Sequence, residues 1–317
     1  MNVLVTGGAG FIGSHVIDAL IARGDKIICI DNFNDYYNPN RKKKNIVHHV
    51  NNPLFKLYYL DLTDKKKLKE VFIYEHIDKI IHIAAKAGVR YSLSNPQEFQ
   101  EDNNKATMNL LELAKDFKVQ NFIFASSSSV YGNNTKTPFS EEDNVDYPIS
   151  PYAATKKSCE LMIHAFSHIF HLNATCLRFF TVYGPRGRPD MAPYQFTKSI
   201  LEGKPIVRYG DGSTARDYTY ISDIVKGILS ALDKNLRFEI INLGNSNPVK
   251  LNEFISIVEK HTGKKAQIIE QKIPPGDVMI TYADISKAQR LLGYNPEVSF
   301  EEGMKLFIDW FKGETDV

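Results

Sequence analysis

Cysteine is scarce in this chain. The three thiols, Cys29, Cys159 and Cys176, are an odd number and lie far apart. That argues against a disulfide framework and suits reduced thiols buried as small apolar residues. Excess charge is missing too. With 39 Lys and Arg against 37 Asp and Glu, the formal charge is +2, too near balance for the electrostatic footprint of a nucleic-acid or anionic-membrane binder. No apolar run is long enough to span a bilayer or to form a secretory h-region, since Val3-Leu4-Val5 passes at once into a glycine turn. Internal repeats and low-complexity tracts are absent as well. The expectation is a soluble, cytoplasmic protein without a nucleic-acid or membrane partner. At 317 residues the chain can bury a large core, so one α/β unit with a smaller lobe is expected.

What is present begins with an apolar run over residues 2–6 that ends in Gly7-Gly8-Ala9-Gly10-Phe11-Ile12-Gly13. A helical pattern (Phe11, Ile12, Val16, Ile17, Leu20, Ile21) follows and stops near Gly24; a second strand over 26–30 then ends on Asp31. Strand, glycine turn, helix, strand and acid in that order are the dinucleotide-binding unit. Gly7, Gly10 and Gly13 let the backbone approach a pyrophosphate at the helix start, and Asp31 accepts bonds from a ribose diol. A carboxylate there repels a 2′-phosphate, and Asn32 offers no positive charge to receive one, so NAD is favoured over NADP. The basic run Arg41-Lys42-Lys43-Lys44 reads as a solvated helix face.

Three further strand–helix units follow by pattern. A strand over 54–60 ends in Asp61-Leu62, a wall for adenine. A buried strand over 79–84 opens at Ala84 into Ala85-Lys86-Ala87-Gly88-Val89-Arg90. After a long helix over about 96–116, a strand over 121–125 delivers Ser126-Ser127-Ser128-Ser129. Such alternation implies a Rossmann-like, doubly wound parallel sheet whose ligand crevice lies beyond the strand C-termini, and these segments share that rim.

Pro151 fits the first position of the next helix, which puts Tyr152 and Lys156 one turn apart on the same face. A cation beside a phenol favours phenolate, the form a general base needs, and a serine hydroxyl can hold the same substrate oxygen. After a strand over 175–180, the Gly- and Pro-dense stretch from Thr181 to Asp190 marks the exit from the sheet. Residues 1–180 are therefore expected to form the cofactor domain and 181–317 the substrate lobe, with segments near 222–245 able to return to the sheet. His164, His168 and His171 put at least two imidazoles on one helical face, but no cysteine pair accompanies them, and no metal site is read there.

At nearly full length, the glycine turn, residues 126–132, Tyr152-Ala-Ala-Thr-Lys156 and Ala215-Arg216-Asp217-Tyr218 resemble the extended short-chain dehydrogenases of the NAD-dependent epimerase/dehydratase family. Asp31-Asn-Phe-Asn-Asp-Tyr-Tyr37, Ala87-Gly-Val-Arg-Tyr-Ser92, Leu177-Arg-Phe-Phe-Thr-Val-Tyr-Gly184 and Gly187-Arg-Pro-Asp-Met191 are most similar to UDP-glucuronate 4-epimerases. The resemblance implies C4 epimerisation of a UDP-sugar through a transient 4-keto species. It makes Tyr152 the acid/base, gives Lys156 the nicotinamide ribose, and assigns Ser127 or Ser129 to the sugar 4-hydroxyl. Asp102-Asn103 match a helix start that touches the cofactor, Thr181 and Arg188 match positions that hold the sugar carboxylate, and Arg216 matches the arginine on the diphosphate. Arg90 is left between a ligand role and fixing its own loop. Asp277 falls in the later substrate loop, where Pro274-Pro275 stand in place of an arginine common in related epimerases. Dehydratases carry an Asp-Glu pair after the catalytic Ser/Thr and decarboxylases keep a Glu; Ser128-Ser129 occupy those positions here, which disfavours elimination. The resemblance also implies a homodimer built on the helices near 96–116 and 151–171. Leu161, Met162, Ala165, Phe166 and Ile169 suit either core or interface.

Overall fold

Short β-branched strands separated by amphipathic helices have one low-energy arrangement, a parallel sheet covered on both faces. The computed structural model describes residues 1–273 and 278–314 and has that form. In chain order its first elements are β1 (Asn2–Thr6), α1 (Phe11–Ala22), β2 (Lys26–Asp31), α2 (Pro39–Ile46), β3 (Phe55–Tyr59), α3 (Lys65–Tyr74) and β4 (Lys79–His82). Next come α4 (Val89–Ser94), α5 (Pro96–Phe99), α6 (Ala106–Asp116), β5 (Asn121–Ser127), α7 (Pro151–Phe170) and β6 (Ala174–Phe179). The remainder is β7 (Thr181–Tyr183), α8 (Ala192–Leu201), β8 (Ile206–Tyr209), β9 (Ala215–Tyr220), α9 (Ile221–Asp233), β10 (Phe238–Leu243) and β11 (Pro248–Lys250). It closes with α10 (Leu251–Thr262), β12 (Ile268–Gln271), α11 (Ser286–Leu292) and α12 (Phe300–Gly313).

The main sheet has the order β10-β6-β5-β4-β1-β2-β3, with every pairing parallel. Successive side chains alternate faces. Val3, Val5, Ile27 and Cys29 join one apolar cluster, while Leu4, Ile28 and Ile30 join the other. Each such side chain contributes roughly 1.5–3 kcal/mol on burial. All three cysteines are free and buried. Strand order reverses at β1, and a crevice at the carboxyl ends is the geometric consequence. The chain re-enters this sheet at β10, beside β6. Two small sheets, β11-β9-β7 and β12-β8, lie outside it. No helix among the described residues is long and apolar enough to cross a membrane.

Two elements carry the site. Pro151 opens α7, as the sequence predicts, and Ser150 caps it by accepting from the Ala153 amide at 3.1 Å. The single helix expected over 96–116 is instead α5, a π-helical stretch at Gln100–Lys105, and then α6. A wide turn of this kind re-aims side chains and is found often beside functional sites. Here it contains Asp102 and Asn103.

Candidate active site

One cavity of about 410 Å³ opens beyond the carboxyl ends of β1 to β6. The glycine turn forms its floor for two steric reasons. Gly7 has φ +67°, and a Cβ on it would stand 2.8 Å from the Ala84 backbone; a Cβ on Gly13 would stand 2.2 Å from the Gly7 carbonyl oxygen. No such crowding surrounds Gly10, where a Cβ would meet only the Gly7 oxygen at 3.2 Å. Its bareness instead leaves the N-terminus of α1 open to the cavity, where unpaired N–H groups and the helix dipole favour an anion. Gly7, Gly10, Phe11, Ile12 and Gly13 all line that floor.

Asp31 and Asn32 follow from the end of β2. Asp31 is 6% exposed and accepts backbone N–H bonds from Ala9 at 3.1 Å and Phe33 at 2.8 Å. Burial pushes its carboxyl up, and the Lys42 charge with those two amides partly opposes the rise. Lys42 is a correction to the sequence reading. It is not on a solvated face: it is 6% exposed, its Nζ lies 4.0 Å from Asp31, and it donates to the Asn34 carbonyl at 3.1 Å and Oδ1 at 2.8 Å. Lys42 and Ile46 form the inward face of α2, and the two Asn34 oxygens hold the Lys42 ammonium there. Asn32 donates to Asp61 at 2.8 Å, locking the ends of β2 and β3 together, and Asp61 and Leu62 line the cavity beside them.

Ala84, Ala85, Lys86 and Asp102 also line the wall. Asn103 lies one step behind it. Its side chain accepts from the Lys86 amide at 2.8 Å and donates to the Lys86 carbonyl at 3.1 Å and to Thr155 at 3.1 Å. It therefore clamps the Lys86 loop to α7. Arg90 and Arg216 are not among the described lining residues. The Arg90 guanidinium lies 4.7 Å over the Tyr209 ring, and Arg216 donates to the Ala215 carbonyl at 2.9 Å. Asp277 lies outside the described residues.

The reactive end is assembled from three segments. Ser127 and Ser129 line the cavity with hydroxyls 3.1 Å apart, and the Ser129 amide donates to Ser127 Oγ at 3.1 Å. Ser126 turns the other way, into the core, to Glu160. Tyr152 and Lys156 line the same cavity. Lys156 is 3% exposed and its Nζ donates to the Ala125 carbonyl at 2.7 Å, 4.7 Å over the Phe124 ring. The ammonium is thus fixed by the strand that ends in the serines. Behind it His82 is buried between Thr6 and Thr107 hydroxyls at 2.7 and 3.0 Å. Burial, with a smaller push from the Lys156 charge, lowers its pKa to about 3, so no second cation competes there.

Thr181 and Arg188 complete the lining. The loop that carries Arg188 is pinned to α1 by His15, which bonds the Pro185 carbonyl at 2.9 Å, and by Arg186, which pairs with Asp18 at 2.7 Å. Arg188 Nε and Nη2 donate to the two oxygens of Asp190 at 2.9 and 2.5 Å. Tyr36 donates to Asp190 at 3.1 Å, and the Arg188 guanidinium lies 5.5 Å over its ring. The aromatic and acidic members of this trio have no local signature beyond their place in the quoted phrases; Lys42 had none at all.

The described residues fit a dinucleotide from the glycine floor to Lys156, and the same cavity reaches on to Ser127, Ser129, Thr181 and Arg188, which could hold a second ligand. The family model described as GDP-mannose 4,6 dehydratase matches residues 4–307. A UDP-glucuronate 4-epimerase of Thermodesulfobacterium geofontis is 46% identical over 98% of this chain and 95% of its own. The structure of a UDP-glucuronic acid 4-epimerase from Bacillus cereus, in complex with UDP-glucuronic acid and NAD, is similar with TM-score 0.92 and 39% identity over 99% of both chains. A UDP-glucose 4-epimerase from Thermotoga maritima, with UDP-glucose, also gives TM-score 0.92, at 33% identity over 100% of both chains.

Proposed function

Since this chain belongs to the NAD-dependent epimerase/dehydratase family and is a nucleotide-sugar 4-epimerase, we propose that it interconverts UDP-glucuronate and UDP-galacturonate. The observation that carries the reading is Arg188, a guanidinium in the wall of the cavity that also holds Tyr152 and the serines. Such a fork grips a carboxylate with two parallel bonds and so distinguishes a uronate from a neutral hexose.

NAD, when bound, supplies the acceptor and later the donor of the C4 hydride. It would be held by the glycine turn, Asp31, Asp61 with Leu62, and Lys156. The protein does the rest. Ser127 and Ser129 orient the 4-hydroxyl, and Tyr152 removes its proton and later returns one. Lys156, anchored on Ala125, holds the nicotinamide ribose on the same helix face as Tyr152. The resulting 4-keto sugar turns its other face before reduction, which inverts C4. A 4-keto uronate is a β-keto acid prone to lose CO₂. Arg188 and Thr181 hold its carboxylate away from alignment with the carbonyl π-system and so suppress that loss.

The match to a UDP-glucose 4-epimerase favours a second reading, a neutral UDP-hexose as substrate. Comparison of kcat/KM for UDP-glucuronate and UDP-glucose separates the two. We expect the uronate to be preferred by at least about tenfold, the worth of one good charge-assisted pair. We also expect Arg188→Ala to lose that preference and to release some UDP-pentose. A preference for UDP-glucose, or an Arg188→Ala enzyme that keeps the preference, contradicts the reading.

We also propose a homodimer built on α7 and its neighbours. Of the helix's apolar residues, Met162 and Phe166 pack against the core, while Leu161 and Ile169, two turns apart, are 58% and 61% exposed. An outward apolar stripe of this kind supports burial against a second copy.

A further inference from the structure

The fork that the substrate's carboxylate would use is already filled. Asp190 takes two N–H groups from one edge of the Arg188 guanidinium, Nε and Nη2, the arrangement in which arginine binds any carboxylate. Tyr36 also donates to the acid through its hydroxyl, and Gly88, at φ +123°, leaves room for that hydroxyl, from which a Cβ would stand 3.0 Å. The pair is partly open to water, with side-chain exposures of 21% for Arg188 and 36% for Asp190.

We propose that Asp190 is an internal stand-in for the uronate carboxylate, which clasps Arg188 in the ligand-free enzyme and must be displaced when the acidic sugar enters. This rests on the reading of Arg188 as the uronate-binding residue. An unpaired guanidinium in a half-buried pocket costs desolvation energy and attracts any anion. The clasp removes both problems, at the expense of affinity for the acidic substrate. Neutral UDP-hexoses do not compete for the fork, so Asp190 acts on uronate binding alone. It thereby sets how strongly the enzyme discriminates.

The test is calorimetric titration of the NAD-loaded enzyme with UDP-glucuronate and, separately, with UDP-glucose. Asp190→Ala is expected to tighten UDP-glucuronate about three- to tenfold, the range of a partly exposed ion pair, and to leave UDP-glucose within about twofold. Tyr36→Phe keeps the acid and removes one of its anchors, so a smaller change of the same sign is expected even if Asp190→Ala folds poorly. Unchanged or weaker UDP-glucuronate binding in both variants overturns the clasp, because a residue that merely positions Arg188 gives that sign. The substrate reading is judged separately, on which sugar the wild-type enzyme converts. The clasp is judged only on how the carboxylate ligand responds to the variants.

Discussion

Ser126 Oγ donates to the Glu160 carboxylate at 2.6 Å, and this contact ties the strand that delivers the serines to the helix that delivers Tyr152 and Lys156. Arg178 closes the arrangement with two bonds of 2.9 Å to the same carboxylate. Both ionic side chains are 1% exposed. Removing either partner leaves a buried charge alone, so Glu160→Leu or Arg178→Leu should each cost about 3–5 kcal/mol in urea unfolding. The double variant should recover most of that stability, yet kcat should stay low because the Ser126 tie is gone. Single variants as stable as the wild type would show that the pair is not structural.

Lys42 stands 4.0 Å from Asp31, and it is the largest influence opposing the upward push of burial on that acid. Without it the carboxylate protonates more readily and accepts from a ribose less well. Lys42→Met should therefore weaken NAD binding about tenfold near pH 7.5. The defect should deepen as pH is lowered, because the loss of Lys42 adds to the upward push of burial on Asp31. Titration of NAD at several pH values checks this, and a variant that tracks the wild type at each pH contradicts it.

His82 titrates near 6.5 when unfolded and near 3 when folded. Between those values the unfolded chain binds the extra proton, so stability is present above pH 6.5 and is lost as pH falls toward 3. By pH 4 the loss from this one group is about 3 kcal/mol. His82→Gln should show a shallower fall in urea midpoint between pH 7 and pH 4. A fall as steep as the wild type's would place the acid sensitivity elsewhere.

Leu161 and Ile169 are exposed apolar side chains on α7. If they meet a second copy, Leu161→Glu with Ile169→Glu should halve the sedimenting mass without lowering thermal stability by more than about 1 kcal/mol. A wild-type enzyme that sediments as a monomer rules the interface out.

What was legible in the sequence was what the local backbone demands. Gly7 and Gly13 are needed because any Cβ there strikes the chain itself, and Pro151 marks a helix start whatever lies around it. Alternating strands and helices fix a parallel sheet for the same reason. Side-chain direction is a tertiary matter that local sequence does not set. Nothing in Arg41-Lys42-Lys43-Lys44 says which lysine turns inward, since the Asn34 oxygens decide it. The π-helical turn that swings Asn103 behind the wall has no residue signature of its own. Nothing in Gly187-Arg-Pro-Asp-Met191 says that Asp190 occupies the Arg188 guanidinium.

In the proposed reaction the hydrogen on the sugar's C4 leaves and returns to the same carbon, from the other face, without passing through water. UDP-glucuronate deuterated at C4, incubated with the NAD-loaded enzyme in ordinary water and analysed by NMR, tests it. The expected product is UDP-galacturonate that retains its deuterium at C4, with no turnover by Tyr152→Phe. Loss of the label to solvent, or a UDP-pentose as the main product of the wild-type enzyme, would contradict it.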